Sequence, residues 1–432
     1  MASGDARVRP SAPQPGGDRP PGLRVVLDAR PLQDPGRAPA TARYLEGLLA
    51  GYDAEPLTGE SFAFLLQSDL EDPTTQFAAL DVVGRRLLPP TRLLRSGALA
   101  VDPFLLRGAS LGAAWRSGRG GAAGAVYHAA AGAPPILSRI PIVVTLLDLA
   151  PWELPAVFQR TPGSRFGQRL RAKLIQDAAA VLVGTEAVAV AARRLLRLRQ
   201  GRVHVVPLAP HPAFADAAGP TDATGDTATE DRERLGLPDR FFVYFGRFDA
   251  RHDVATLLGA LEALGSKPRP RGLPARVPSP PRVLIVGASP DDRAALARAA
   301  SRFGGGDSLV YAPAMPPERL ASLVRDSRAV VMPALSDGSG LPALDAIAAG
   351  LPVVATAVGA LPEVVAGAGI LVEPRDRDRL AAALRTAWAD ERVHGRLVEV
   401  ARQRATASPR TWSDVAWETR RVYAEVGARQ RA

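Results

Sequence analysis

The stretch 336–356, SDGSGLPALDAIAAGLPVVAT, holds two carboxylates, Asp337 and Asp345, with seven residues between them. Pro342 suits the first turn of a helix, where its missing N–H costs nothing. Gly350 suits the helix end, and Pro352 stops any continuation. The spacing therefore predicts a helix of about two turns with Asp345 on it and Asp337 in the glycine loop before it. A carboxylate among alanine and leucine needs a polar partner or solvent. One physical use is to accept from vicinal hydroxyls. The plainer readings are a turn residue for Asp337 and a first-turn acid favoured by the helix dipole for Asp345. The free N–H groups at this helix N-terminus are placed to meet an anionic or polyhydroxy ligand.

A second group is Gly246-Arg247, at the end of the apolar run FFVYFGRF. Glycine lets backbone and ligand come close, and arginine is a bidentate donor to phosphate. A solvated loop arginine is the competing reading. The turn VGAS, with Gly287, ends another apolar run and leads into a helix, a second place for anions or simply a tight turn.

These groups sit on a repeated pattern. LRVVLDARPL, GAVYHAAAG, IPIVVTLLDL, AAVLVGT and GRVHVVPLAP are short apolar runs separated by helical or loop sequence. Runs that are apolar throughout indicate a parallel sheet covered on both faces. After a polar, acidic stretch near 216–230 the pattern restarts, with strands at FFVYFGRF, PRVLIVGAS, SLVYAPA, AVVMPAL and PVVATAV. Helices are expected at DVATLLGALEAL, DDRAALARAASRF, PERLASLVRDS and LPALDAIAAG. The fold class is α/β, two Rossmann-like doubly wound domains facing a cleft. In such sheets ligands bind beyond the carboxyl ends of the strands. The expected organisation is a disordered tail over 1–21, an N-terminal domain over 22–214 and a linker over 215–238. A C-terminal domain over 239–408 follows, with an amphipathic helix and tail over 409–432 packing back on the body.

Composition narrows the partners. The chain has 432 residues, 47% hydrophobic and 23% charged, as expected of two globular domains. Without cysteine there is neither a disulfide framework nor a thiolate metal site. The five histidines lack ligand spacing. A net charge of +10 favours anionic partners, though drift in an arginine-rich composition gives the same number. The first 22 residues lack the apolar core of a signal peptide, and no apolar run is long enough to span a membrane. No helix-turn-helix, zinc or RNP-type pattern is present, so nucleic acid is not an expected partner.

The ordered set GR, VG, YAPAMPPERLASLVRDS, VVMPALSDGSGLPALDAIAAGLPVVATAVGALPEVV, GILVEPRD and TWSDVAWETRRVYAEV resembles the family-four retaining glycosyltransferases. LRVVLDARPL, ARYLEGLL, VYHAAAGAPP, VVTLLDLAPWELP, VLVGTEAVA and VHVVPLAPHPAF agree in the N-terminal half. The resemblance implies a GT-B fold and transfer of a sugar from a UDP- or GDP-linked donor, with retention of configuration. The acceptor would be a glycan or lipid-linked, and neither a metal nor another cofactor would be required. It sets Arg247 on the donor diphosphate, Asp337 on the donor sugar and Asp345 on the ribose. Arg247, Asp337 and Asp148 become the catalytic set. Gly246, His252, Gly287, Gly338, Ser339, Gly340 and Leu341 complete the donor side, and Ala40, Thr41, Ala42 and His128 lie on the acceptor side.

Five departures stand out. The two family glutamates are Asp337 and Asp345, each shorter by about 1.3 Å of reach. His252 stands where a lysine is expected, so a fixed cation is lost. The usual His-Asp pair is Leu147-Asp148. Ala40 and Ala42 replace loop glycines, and PLG reads Pro207-Leu208-Ala209. A catalytically weak homologue acting as a scaffold is the alternative these departures suggest. Leucine mixed with arginine over 84–121 and 191–202 points to an anionic membrane surface and a cytoplasmic, peripheral location. Exposed arginines over an ordinary amphipathic helix are the competing reading.

Overall fold

The computed structural model describes residues 23–90, 100–107, 124–130, 134–215, 225–271, 273–407 and 409–429. The expected tail over 1–21 and much of the basic segment over 84–121 lie outside them.

The N-terminal sheet has seven parallel strands in the order β3-β2-β1-β4-β5-β6-β7. They are β1 (Arg24–Asp28), β2 (Ser61–Gln67), β3 (Val82–Leu88), β4 (Ala125–Ala129), β5 (Ile142–Thr145), β6 (Ala180–Val183) and β7 (Val203–Val205). The C-terminal sheet has six, in the order β10-β9-β8-β11-β12-β13. They are β8 (Phe242–Phe245), β9 (Val283–Val286), β10 (Leu309–Tyr311), β11 (Ala329–Met332), β12 (Val353–Thr356) and β13 (Gly369–Val372). The central strands β4, β6, β11 and β12 are buried at every position, which is why they carry alanine and valine without alternation.

Two stretches hold regular structure that the sequence reading did not assign. Residues 84–88, read as part of a leucine- and arginine-rich surface segment, belong to edge strand β3, which exposes Arg85, Arg86 and Leu87 in succession and buries Leu88. Part of the stretch read as a linker is the helix Gly225–Arg234. Its Asp231 is fully buried and paired with Arg319 and Arg234, which ties that helix to the C-terminal domain.

The helix Trp412–Arg429 leaves the C-terminal domain and lies along the helix Pro39–Ala54. Gly47 and Gly51, one turn apart, make room: a Cβ on Gly47 would sit 2.2 Å from the Trp412 ring, and one on Gly51 2.3 Å from the Trp412 carbonyl. Trp412, Val415, Ala416, Val422, Tyr423 and Val426 share one buried apolar cluster with the N-terminal strands. A chain of buried hydroxyls and imidazole completes this seam. Tyr52 donates to Tyr423 (3.2 Å), and Tyr423 meets His128 Nδ1 (2.6 Å). His128 Nε2 meets Thr145 (2.8 Å), which also meets Tyr44 (3.0 Å).

Candidate functional site

The loops that follow β1, β5, β8 and β11 meet where the carboxyl ends of the two sheets face one another. Loop 336–340, after β11, rests on residues 147–148, after β5. A Cβ on Gly338 would lie 2.7 Å from the Leu147 carbonyl oxygen, so the two backbones touch across the cleft only because residue 338 has no side chain. Gly359 plays the same part behind the loop: its φ is +53°, and a Cβ there would fall 1.8 Å from the Asp337 carbonyl oxygen. That oxygen accepts from Ala360 N–H at 2.8 Å.

Asp337 folds back on its own loop. Its Oδ1 accepts from Ser339 N–H (3.0 Å) and Gly340 N–H (2.6 Å). Leu341 N–H points at Ser339 Oγ (3.5 Å). Of the donors expected to face a ligand, those of Ser339, Gly340 and Leu341 are therefore directed at the loop's own side chains. Burial raises the Asp337 carboxyl above the usual carboxylate range, against the two backbone donors and His252, which pull it down.

Asp345 lies on the helix Leu341–Ala348 and is 1% exposed. Both its oxygens are engaged by Arg43 Nη1 and Nη2, from the opposite domain. Oδ1 also accepts from His211 N–H at 2.9 Å. The plain reading of a dipole-favoured acid is replaced by a buried ion pair between domains.

Arg247, in the loop after β8, is aimed by Asp292, whose Oδ2 accepts from its Nε at 3.3 Å. Asp292 also accepts from Phe248 N–H and from Ser289, the cap of the helix Pro290–Phe303. Arg247 Nη1 donates across the cleft to the Gly36 carbonyl at 2.7 Å. The next cation along is Arg251, which sequence reasoning missed. It donates to Asp148 (2.9 Å) in the other domain and to Asp249 (2.7 Å) in its own. His252 is held by Asp249 at 2.7 Å. The fixed positive charge expected at 252 is thus present one residue earlier, and the string GRFDARHD already contained it. Burial alone would push Asp249 up, but the hydrogen bonds and charges of His252 and Arg251 outweigh it and hold its carboxyl well below the usual range.

Two further cross-domain carboxylates had no sequence signal. Glu153 accepts from Ser336 Oγ. Burial raises it, assisted by the charges of Asp148 and Asp337 and opposed by Ser336 and Arg194. Glu363 accepts from Glu186 N–H (3.3 Å) and Ala187 N–H (3.1 Å), capping the N-terminal domain's helix Glu186–Leu196 from the other domain.

The acceptor-side expectation is corrected at His128. It is fully buried in the seam, and burial pushes its imidazole down to about 3. Tyr423 and Thr145 claim both ring nitrogens, so it fastens the last helix rather than facing a ligand. Ala40, Thr41 and Ala42 form the first turn of the helix Pro39–Ala54, with Ala42 buried and its N–H on the Ala38 carbonyl (2.9 Å). Asp148 does reach the cleft, where its Oδ1 caps Ala150 N–H at 2.8 Å. Leu147 is 6% exposed and shares an apolar cluster with Leu341. Gly246 turns the chain out of β8, and Gly287, after β9, faces open space.

Two Rossmann-like parallel sheets with apposed carboxyl ends define an architecture seen across many solved structures. A sucrose-phosphate synthase from Thermosynechococcus elongatus superposes with a TM-score of 0.67 at 19% identity, covering 94% of this chain and 100% of that one. The fold is GT-B. Anabaena HepE, solved in complex with UDP and glucose, gives a TM-score of 0.64 at 16% identity over 93% of this chain and 99% of that chain. The family model for Glycosyl transferases group 1 matches residues 227–404 of this GT-B protein, which takes in Arg247, Asp337 and Asp345. A D-inositol 3-phosphate glycosyltransferase from Acidothermus cellulolyticus is 32% identical over 170 residues. That alignment spans 37% of this chain and 36% of the relative. Among the described residues, no helix is long and apolar enough to cross a membrane.

Proposed function

We propose that this protein is a glycosyltransferase that moves a sugar from a UDP- or GDP-linked donor to a glycan or lipid-linked acceptor, with retention of configuration. The observation that carries the reading is Arg247, held by Asp292 at the mouth of a GT-B cleft inside the segment that matches the family. A guanidinium fixed in this way meets negative charge as it develops on a departing diphosphate, without reorganising. Asp337 and its loop would receive the donor sugar, and Asp345 the ribose. Asp148 would face the sugar from the other domain. The reading requires no metal: Arg247 and Arg251 supply the positive charge.

A thermal-shift series with UDP, GDP and their sugars tests it. Ligand at about 100 times its Kd stabilises the native state by about 2.7 kcal/mol. No shift with any nucleotide would overturn the reading. Transfer to a glycan acceptor, followed by NMR of the new anomeric centre, tests retention. The reading also takes the protein to be cytoplasmic and membrane-peripheral; the helix Glu186–Leu196, which exposes Val190 and Arg194 one turn apart, supports attachment to an anionic surface. Salt-sensitive co-sedimentation with anionic vesicles tests that part.

The buried leucine at 147 favours a second reading, a nucleotide-binding subunit without turnover. Binding without transfer or donor hydrolysis, unrescued by Leu147→His, would select it.

A further inference from the structure

A carboxylate has two oxygens and about four acceptor positions. On Asp345, three are taken, by Arg43 Nη1, Arg43 Nη2 and His211 N–H. Two vicinal hydroxyls need two positions, so a ribose and the whole of Arg43 cannot hold Asp345 together. Something must receive the guanidinium. Beside the pair lies a cavity of ≈ 630 Å³ between the domains, lined by Arg43, Glu46, His211, Glu318, Arg325 and Trp412 among others. Glu46 is three residues along the same helix as Arg43, on the same face. Glu318 lies opposite, on the helix Pro317–Arg325 of the C-terminal domain. Both are exposed at its edge, neither has a hydrogen-bond or ion-pair partner among the described residues, and Arg43 Nε is buried without one.

We propose that Arg43 is a two-position gate on the nucleotide site: paired with Asp345 it ties the two domains together, and a nucleotide arriving at Asp345 moves its guanidinium into the cavity against Glu46 and Glu318. This rests on Asp345 being the ribose residue, as read above. The second seat matters because Asp345 stays buried and takes the ribose in exchange, while the guanidinium moves to carboxylates that already lie at the solvent edge. The gate makes nucleotide affinity a difference between two ion-pair arrangements rather than a sum of ligand contacts. It also explains why a short aspartate serves here, since its partner comes from the far domain and reaches across.

The test has two independent readouts. Calorimetry measures UDP and GDP binding to the full chain and to Arg43→Gln, Arg43→Lys and the double variant Glu46→Gln/Glu318→Gln. Spin-label distances measure closure without any nucleotide. The chain has no native cysteine, so Phe166→Cys and Arg379→Cys, exposed and one per domain, label cleanly. Arg43→Gln should tighten binding about tenfold and lengthen the ligand-free distances. Arg43→Lys, which keeps the charge but loses the fork, should fall between and serves if the glutamine variant does not fold. The double variant should weaken binding about threefold with ligand-free distances unchanged. Weaker binding in Arg43→Gln, or unchanged ligand-free distances, would overturn the gate. If neither nucleotide binds the unaltered chain, the reading of Asp345 fails, and unchanged distances would then remove the latch as well.

Discussion

Two arginines cross the cleft in opposite directions. Arg43 leaves the N-terminal domain for Asp345, and Arg251 leaves the C-terminal domain for Asp148. The chemistry is the same and the surroundings are not. The Asp345 side chain is 2% exposed and Arg43 22%, whereas Asp148 is 37% exposed and Arg251 29%. Arg251 also keeps Asp249 when the domains part, so its cross-cleft bond is the cheaper to break. The difference teaches where closure is decided: at the buried pair, where removing one partner strands a charge away from water, rather than at the wetted pair, which solvent screens.

The largest expected effect comes from stranding that charge. Arg43→Ala leaves the Asp345 carboxylate, 2% exposed, without its cation and should lower unfolding stability by about 3–5 kcal/mol in urea titrations at neutral pH. A loss below about 1 kcal/mol would erase the contrast between the pairs. Gly338→Ala attacks the same closure through the backbone. Its Cβ would press on the Leu147 carbonyl, which cannot swing aside as a side chain would. A loss of about 1–3 kcal/mol is expected, with a more open shape by small-angle scattering. Next in size is a pH effect away from the cleft. His128 is neutral in the seam and protonates there only near 3, whereas in the unfolded chain it does so near 6.5. Below 6.5 the unfolded state takes up the proton first, so stability falls as pH falls, by about 2 kcal/mol at pH 5. A chemical-denaturation series from pH 7 to 5 should lose that slope in His128→Gln. Asp148→Asn should be smallest, below about 1 kcal/mol and vanishing in molar salt. A large, salt-independent cost there would make the two crossings equals.

The sheets were legible because their central strands are buried on both faces and write that burial as unbroken apolar runs. β2 and β3 were not assigned from sequence; β3, at the edge, exposes Arg85 and Arg86 together with Val83 and Leu87, so its signal resembled surface texture. The helix Leu341–Ala348 was legible to within a residue because proline and glycine bracket it. Site geometry was less so. The spacing of Asp337 and Asp345 says nothing about Arg43, about 300 residues away in sequence and in contact only because the domains close. Arg251 was visible in GRFDARHD, but alignment by position drew attention to His252 instead. His128 looked like a ligand-facing residue until Tyr423, far down the chain, was seen to claim its Nδ1. Pairings across domains are properties of the fold, and a local motif does not carry them.

The crossing of the helix Trp412–Arg429 onto the first domain has a consequence for synthesis. Six of its side chains complete a core begun by β1 and the helix Pro39–Ala54. The ribosome makes that first domain, then all of the second, before Trp412 emerges. At roughly 5–20 residues per second, the unfinished core waits on the order of 10–40 s with Gly47, Gly51 and the apolar face around them uncovered. A nascent chain stopped short of Trp412 would present that face to chaperones and proteases. The helix Trp412–Arg429 thus closes the first domain's core only after the second domain has been made.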